Sequence, residues 1–150
     1  MLGLFDGFLD GGRTVIAMEY KGGYLNAAKY KDSSDALWTA INTKFGTKKG
    51  GGIEQLVRKL TLLFPADVAS RRSFGSFNQR KARVVYPTLI VQETSLEIGF
   101  AQTLLKETFE KALDRSLIDP RVTIHPLSVL SIDDLQHVLP SVSAGDFALH

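Results

Sequence analysis

The stretch Asp6-Gly-Phe-Leu-Asp10-Gly-Gly-Arg13-Thr-Val-Ile-Ala-Met-Glu19-Tyr-Lys21 decides how this chain is read. Residues 2 to 9 and 13 to 21 are two apolar, β-prone runs, and Asp10, Gly11 and Gly12 between them tolerate the positive φ angles of a tight turn. The pattern predicts an antiparallel hairpin. Apolar side chains fall on both faces, Leu4, Phe8, Val15 and Ala17 on one and Phe5, Leu9, Ile16 and Met18 on the other. Such a hairpin is expected inside a covered sheet.

Side chains two residues apart on a strand share a face, so Glu19 and Lys21 project together while Tyr20 points away. With Gly11 and Gly12 as a two-residue loop, Arg13 pairs with Asp10 and Asp6 falls opposite Ala17, on the face of Glu19. Asp6 and Glu19 are then diagonal neighbours, roughly 6 to 8 Å apart at Cβ. Two carboxylates at that spacing suit one hard cation, Mg²⁺ or Mn²⁺, with the backbone carbonyl of Tyr20 as a further oxygen. Lys21 would stand beside the attacking water and offset charge developing on a phosphate. Asp10 is the rival acid, but the turn holds it about 20 Å along the strand from Glu19.

Outward from the hairpin, Asp32, Ser33 and Ser34 are N-cap residues for a helix carrying Leu37, Trp38, Ile41 and Phe45 on one face. A basic, glycine-rich link from Lys48 to Gly52 precedes a second amphipathic helix with Ile53, Leu56, Val57, Leu60 and Phe64, which ends at Pro65. Residues 66 to 82 are polar and irregular. Val84 to Gln92 reads as a strand, with Pro87 pointing to a sheet edge or a bulge. Thr94 and Glu97 form a capping box for a long helix through Leu104, Leu105, Phe109 and Leu113. Arg121 to Leu130 is a last strand interrupted by Pro126, and Ser131 and Asp134 start a closing helix. The predicted order, β-β-α-α-β-α-β-α, gives an α/β domain: a mixed sheet with helices on both faces.

A chain of 150 residues, 44% hydrophobic and 23% charged, is one ordinary domain with enough core to fold without staples. The absence of cysteine excludes disulfides and thiolate metal sites and suits a reducing cytoplasm, the expected location. The uncharged run from Val84 to Gln92 is too short to span a bilayer, and the acidic N-terminus lacks the basic region of a signal peptide. No Walker-type loop is present, since Gly50-Gly-Gly52 is not followed by Gly-Lys-Ser/Thr. His125, His137 and His150 show no metal-ligand spacing.

The hairpin, with Asp6 followed by Val15-Ile-Ala-Met-Glu19-Tyr-Lys21-Gly-Gly, resembles the PD-(D/E)xK nuclease superfamily of restriction-endonuclease-like fold. The resemblance implies that Asp6 and Glu19 bind Mg²⁺ and that these residues with Lys21 hydrolyse phosphodiester bonds of DNA or RNA. Some members place a glutamine on the next helix, and Gln55 in Ile53-Glu54-Gln55-Leu56 looks similar. The superfamily core usually has a helix and a strand ahead of the Asp-bearing strand, whereas this sequence starts at the hairpin, as expected of a fragment truncated at both ends or a diverged member.

Each feature also has a plainer reading. Glu-x-Lys triplets mostly form ion pairs on solvated strands, and Gln55 fits the polar side of an amphipathic helix. Lys44, Lys48, Lys49, Arg58, Lys59, Arg71, Arg72, Arg80, Lys81 and Arg83 could grip phosphates or simply be solvated. Tyr20, Tyr24, Tyr30 and Trp38 could stack on bases, although Trp38 at helical spacing reads as core. The alternative function is a catalytically inactive module that binds nucleic acid or a protein partner. A plain scaffold within a larger assembly is the third.

Overall fold

A computed structural model describes residues 4–25, 33–70, 77, 83–92 and 99–138. Its elements are β1 (Gly7–Asp10), β2 (Thr14–Lys21), α1 (Ser34–Lys44), α2 (Gly52–Leu63), β3 (Arg83–Val91), α3 (Gly99–Ala112), β4 (Val122–Ile124), β5 (Ser128–Ser131) and α4 (Ile132–Val138). Short 3₁₀ turns lie at Val68–Ser70 and Arg115–Leu117.

The sheet is five-stranded and mixed. β1 pairs antiparallel with β2, β2 parallel with β3, and the far side of β3 takes β4 and then β5, both parallel. The α/β class with a mixed sheet is therefore as the sequence predicts. The single predicted strand over 121–130 is two. β4 aligns Arg83 with Val122 and β5 aligns Thr88 with Ser128, so the register advances by one residue across His125, Pro126 and Leu127.

That break explains how Pro87 sits in a central strand. Along β3, Arg83 and Val85 exchange hydrogen bonds with the β4 segment, whereas Val84 donates to Arg13 on the β2 side. By alternation the nitrogen of Pro87 faces the gap between Val85, the last residue paired with β4, and Thr88, the first paired with β5. No ladder bond is lost there.

The hairpin turn is longer than predicted. Asp10 pairs with Val15 rather than Arg13, leaving Gly11 to Thr14 as the connection, closed by the Gly11 N–H on the Thr14 carbonyl at 2.9 Å. The Asp10 side chain accepts the Gly12 N–H at 2.9 Å, a local bond typical of aspartate in turns. The register thus slips by two residues from the expected one. An even slip keeps the side chains from Gly7 onward on their predicted faces. Phe5, predicted on the face opposite Phe8, is instead buried in the core against Phe8, with the Lys59 ammonium 5.8 Å from its ring centroid, because the alternation does not extend back past β1.

The core face of β2 and β3 carries Val15, Ala17, Val85, Leu89 and Val91, all fully buried. Helix α2 lies on this face because Ile53, Leu56, Leu60 and Leu63 recur every three or four residues and form one apolar stripe, also fully buried. Each such side chain stabilises the fold by about 1.5–3 kcal/mol. Phe5 and Phe8 join Phe77 and Phe64 in an aromatic cluster beside the stripe. Helix α3 packs on α2 and reaches β5 through the same core, where Leu105, Phe109 and Leu113 are buried. On the opposite face β1, β2 and β3 are only half covered: Leu9 is 45%, Tyr20 39% and Tyr86 38% exposed.

Local signals place the helix ends. Ser33, in an extended conformation, accepts the Ala36 N–H and caps α1, with Asp35 in the first turn and Lys44 in the last to match the helix dipole. Ser131 and Asp134 exchange side chain to backbone hydrogen bonds, both at 3.0 Å, and open α4 as a reciprocal cap. The predicted Thr94/Glu97 cap lies outside the described residues. Trp38 is half-buried against the core, as its helical spacing suggests.

Candidate functional site

β2 and β3 run parallel and leave the sheet at the same edge, after Lys21 and Val91; antiparallel β1 enters at that edge, just after Asp6. Open α/β sheets present ligand sites at the carboxyl ends of their parallel strands. The predicted residues gather there.

The hairpin pairing ends at Gly7 and Met18, so Asp6 lies just outside the ladder rather than at the diagonal position within it that a two-residue turn predicts. Asp6 is exposed, and its Oδ2 accepts the Tyr20 N–H at 2.8 Å. Its carboxylate is thereby fixed on the peptide link that joins Glu19 to Tyr20. The Tyr20 carbonyl lies on the same side of the strand as that N–H.

Glu19 is only 1% exposed. A carboxylate buried without partners would cost several kcal/mol; this one is matched on both oxygens. Lys21 Nζ lies 3.3 Å from Oε1, and the Lys59 ammonium bonds to Oε2. Lys21 also donates to Gln55 Oε1 at 2.6 Å. Gln55 and Lys59 stand four residues apart on α2, so one helix face delivers an amide and an ammonium together. Glycine at position 52 suits this close approach of the helix: a Cβ there would stand 2.6 Å from Leu89 Cδ1 and 3.2 Å from Lys21 Cγ, and Leu89 would have to shift.

The structure thus unites Glu19, Lys21 and Gln55, with Asp6 one peptide away, and adds Lys59. The sequence reading groups Lys59 with a general basic surface; its i, i+4 spacing from Gln55 was the available signal. With two ammonium groups on one carboxylate, the buried cluster carries one positive charge in excess. Lys48 and Lys49 are exposed in the link that leads into α2.

Other cations of that predicted surface have different roles. Arg83 is buried, donates to Asp10 Oδ1 at 2.6 Å and lies 4.7 Å from the Phe77 ring centroid. Arg58 pairs with Glu54 at 3.5 Å. Arg71, Arg72, Arg80, Lys81 and Tyr30 fall outside the described residues. His125 stacks on Tyr86, ring centroids 4.4 Å apart. Among the described residues no group of three or more His, Cys, Asp or Glu side chains forms a metal-holding cluster. No described helix is long and apolar enough to cross a membrane.

Comparison with known proteins points elsewhere than the hairpin motif did. The chain is similar to a RuvA. Over 80 residues it is 34% identical to the Holliday junction branch migration complex subunit RuvA of Fervidobacterium nodosum, a stretch covering 53% of this chain and 41% of that relative. The match therefore spans less than half of the relative's length. No family model and no solved structure matches the chain.

The resemblance to the PD-(D/E)xK nuclease superfamily is corrected by this result. The sequence relative bears the name of a junction-migration subunit, and no nuclease family model answers to Asp6, Glu19 and Lys21. The physical reason is the brevity of the pattern: an acid on one strand and Glu-x-Lys on the next also describes a hairpin whose open end is held by an ion pair. The restriction-endonuclease-like core implied by that resemblance loses its support with it, while the α/β class stands.

Proposed function

We propose that this chain is a nucleic-acid-binding domain whose carboxyl edge acts on the phosphodiester backbone with a divalent cation. One observation carries the reading: a fully buried carboxylate, Glu19, bound by two lysines, one of them held by Gln55, with the exposed carboxylate of Asp6 on the next residue's N–H. A structural core has no use for so many charges in one place, and such concentrations of buried ionisable groups mark functional sites. The RuvA relative, named for a complex that works on Holliday junctions, supports nucleic acid as the partner.

The donor set fits a divalent cation in kind. Asp6 and Glu19 offer oxygens from opposite strands, and the Lys59 ammonium on Glu19 Oε2 stands where a cation is accepted. When bound, Mg²⁺ or Mn²⁺ would supply charge neutralisation at the scissile phosphate and make a water acidic enough to attack. Asp6, Glu19 and the Tyr20 carbonyl would hold it. Lys21, fixed by Gln55, would orient the phosphate and offset its developing charge. Lys59 would have to release Glu19, so it sets the threshold for cation uptake.

The burial of Glu19 and its saturation by two lysines favour a second reading, a module that binds nucleic acid without cleaving it. One experiment separates the two. Single-stranded, duplex and four-way-junction DNA and a single-stranded RNA are incubated with the protein in Mg²⁺, Mn²⁺ or EDTA. The enzyme reading expects metal-dependent cleavage that falls by about 10²–10³ in Lys21→Met and disappears in Asp6→Asn, the latter variant still binding in EDTA. Binding without cleavage in either metal establishes the module. Absence of binding to any of these nucleic acids removes both.

A further inference from the structure

One residue beyond the ion-paired cluster, a second group of side chains is organised around Gln92, at the end of β3. Gln92 Oε1 accepts the Gly23 N–H at 2.7 Å and the Tyr20 hydroxyl at 3.4 Å, and its Nε2 donates to the Tyr24 hydroxyl at 3.3 Å. The Gln92 backbone N–H donates to the Lys21 carbonyl at 3.3 Å. From the other side, the Lys44 ammonium donates to the Gly23 carbonyl. A single amide from β3 and a single lysine from α1 thus clamp the segment that follows β2.

The consequence falls on the two tyrosines. Both hydroxyls are drawn onto the same amide, which fixes their rings at the sheet's carboxyl edge. Tyr20 folds back over Gly22, where an added Cβ would meet the ring carbon Cε1 at 3.1 Å and the hydroxyl at 3.0 Å and push the ring outward by a few tenths of an ångström. Tyr24 remains 69% exposed, the most exposed of the large hydrophobic residues in the described structure. An aromatic ring fixed through its hydroxyl yet mostly in solvent, as Tyr24 is, contributes little to a core, where such a side chain buries most of its area.

We infer that Tyr24, backed by Tyr20 and positioned by Gln92, is a stacking platform for an unpaired nucleobase. The inference rests on the nucleic-acid reading above and names the form of the substrate: a single-stranded or unpaired segment. A base in a duplex has its faces covered by its neighbours, whereas one in a single strand offers a π-face to a ring of this kind. The surroundings are suited to the attached backbone. The Lys44 ammonium, bonded to the Gly23 carbonyl, holds the Tyr24 segment and places a positive charge beside it, which favours a polyanion.

The test is equilibrium binding of a fluorescently labelled oligothymidylate, the same oligomer with abasic sites, and a duplex, all in EDTA so that cleavage plays no part. Tyr24→Ala is expected to weaken oligothymidylate binding by about 5- to 100-fold and to leave abasic and duplex binding nearly unchanged. Tyr24→Phe keeps the ring and is expected to retain most of the affinity. Because Tyr24 is exposed, these variants fold, which circular dichroism checks. If Lys21→Met weakens binding while Tyr24→Ala does not, or if wild-type protein binds abasic and base-bearing oligomers equally, the platform is overturned and the nucleic-acid reading survives. If the wild type binds none of the three, both fall. Loss that Tyr24→Leu restores in full points to an apolar contact, such as a protein partner would make, and also overturns the stacking role.

Discussion

The two ends of the hairpin use the same chemistry for different purposes. At the turn end Asp10 meets Arg83, an acid one-third exposed against a buried guanidinium that rests on Phe77. At the open end Glu19, buried, meets both Lys21 and Lys59, with Gln55 on Lys21 and Asp6 on the Tyr20 N–H. One cation on one acid is sufficient to tie β1 to β3 across the start of β2. The open end exceeds that need by a cation, an amide and a second acid, all at the edge where the parallel strands finish. The excess is what separates a site from a structural pair.

Removing each acid is the sharpest way to break this comparison. Glu19→Ala leaves two ammonium groups beneath α2 without their counter-ion and is expected to cost about 3–5 kcal/mol in urea denaturation. Replacing Lys59 by Met in that background, Glu19→Ala/Lys59→Met, is expected to recover much of the loss, because one of the two uncompensated ammonium groups is removed and the other keeps Gln55. Asp10→Ala leaves a guanidinium that still packs on Phe77 and is expected to cost less, about 1–3 kcal/mol, with nucleic-acid binding unchanged. Equal losses at Glu19 and Asp10, or loss of binding in Asp10→Ala, would erase the distinction between the two ends.

A smaller effect isolates Gln55. Gln55→Leu removes the acceptor of Lys21 while keeping the size of the side chain, and is expected to cost about 0.5–1.5 kcal/mol. If Gln55 only fills the polar side of α2, phosphate-backbone affinity is unaffected. If it positions Lys21, affinity in EDTA drops in Gln55→Leu and no further in Gln55→Leu/Lys21→Met than in Lys21→Met alone. Additive losses in that cycle would show that the two side chains act separately.

The unequal legibility of the two ends follows from the range of the interactions involved. Alternation along β2 gives the shared face of Glu19 and Lys21, and the Ser33 and Ser131 caps are local signals that the structure reproduces. Register depends on turn chemistry: Gly11 and Gly12 suggest a two-residue loop, but the Asp10 side chain takes the Gly12 N–H and four residues bridge the strands. The partnership of Lys59 with Glu19 joins residues 40 apart and that of Gln92 with Tyr24 joins residues 68 apart, so neither leaves a periodic trace in the sequence. Pro126 was visible as an interruption, but its meaning, a one-residue shift between β4 and β5, appears only against β3. The family resemblance failed for the complementary reason. A short motif describes what a hairpin end looks like locally, and that local pattern does not determine ancestry.

The mildest test concerns an acid whose role is wholly local. Asp114 caps the 3₁₀ turn at Arg115–Leu117, accepting from the Ser116 hydroxyl at 2.6 Å and the Ser116 N–H at 2.9 Å. These two bonds, the hydroxyl first, hold its carboxyl below the usual aspartate value. A folded-state pKa below the unfolded one gives a contribution present above the ordinary aspartate pKa, near pH 4, and lost as pH falls through the lowered value. Ser116→Ala removes the stronger bond, so the Asp114 titration followed by NMR is expected to move back up. Nucleic-acid binding near pH 7 should not change, since Asp114 is ionised there with or without Ser116. An Asp114 that titrates normally in the wild type would refute the local account. A Ser116→Ala variant that loses nucleic-acid binding would extend the functional surface well beyond the carboxyl edge, and the contrast between the hairpin's two ends would no longer locate the site.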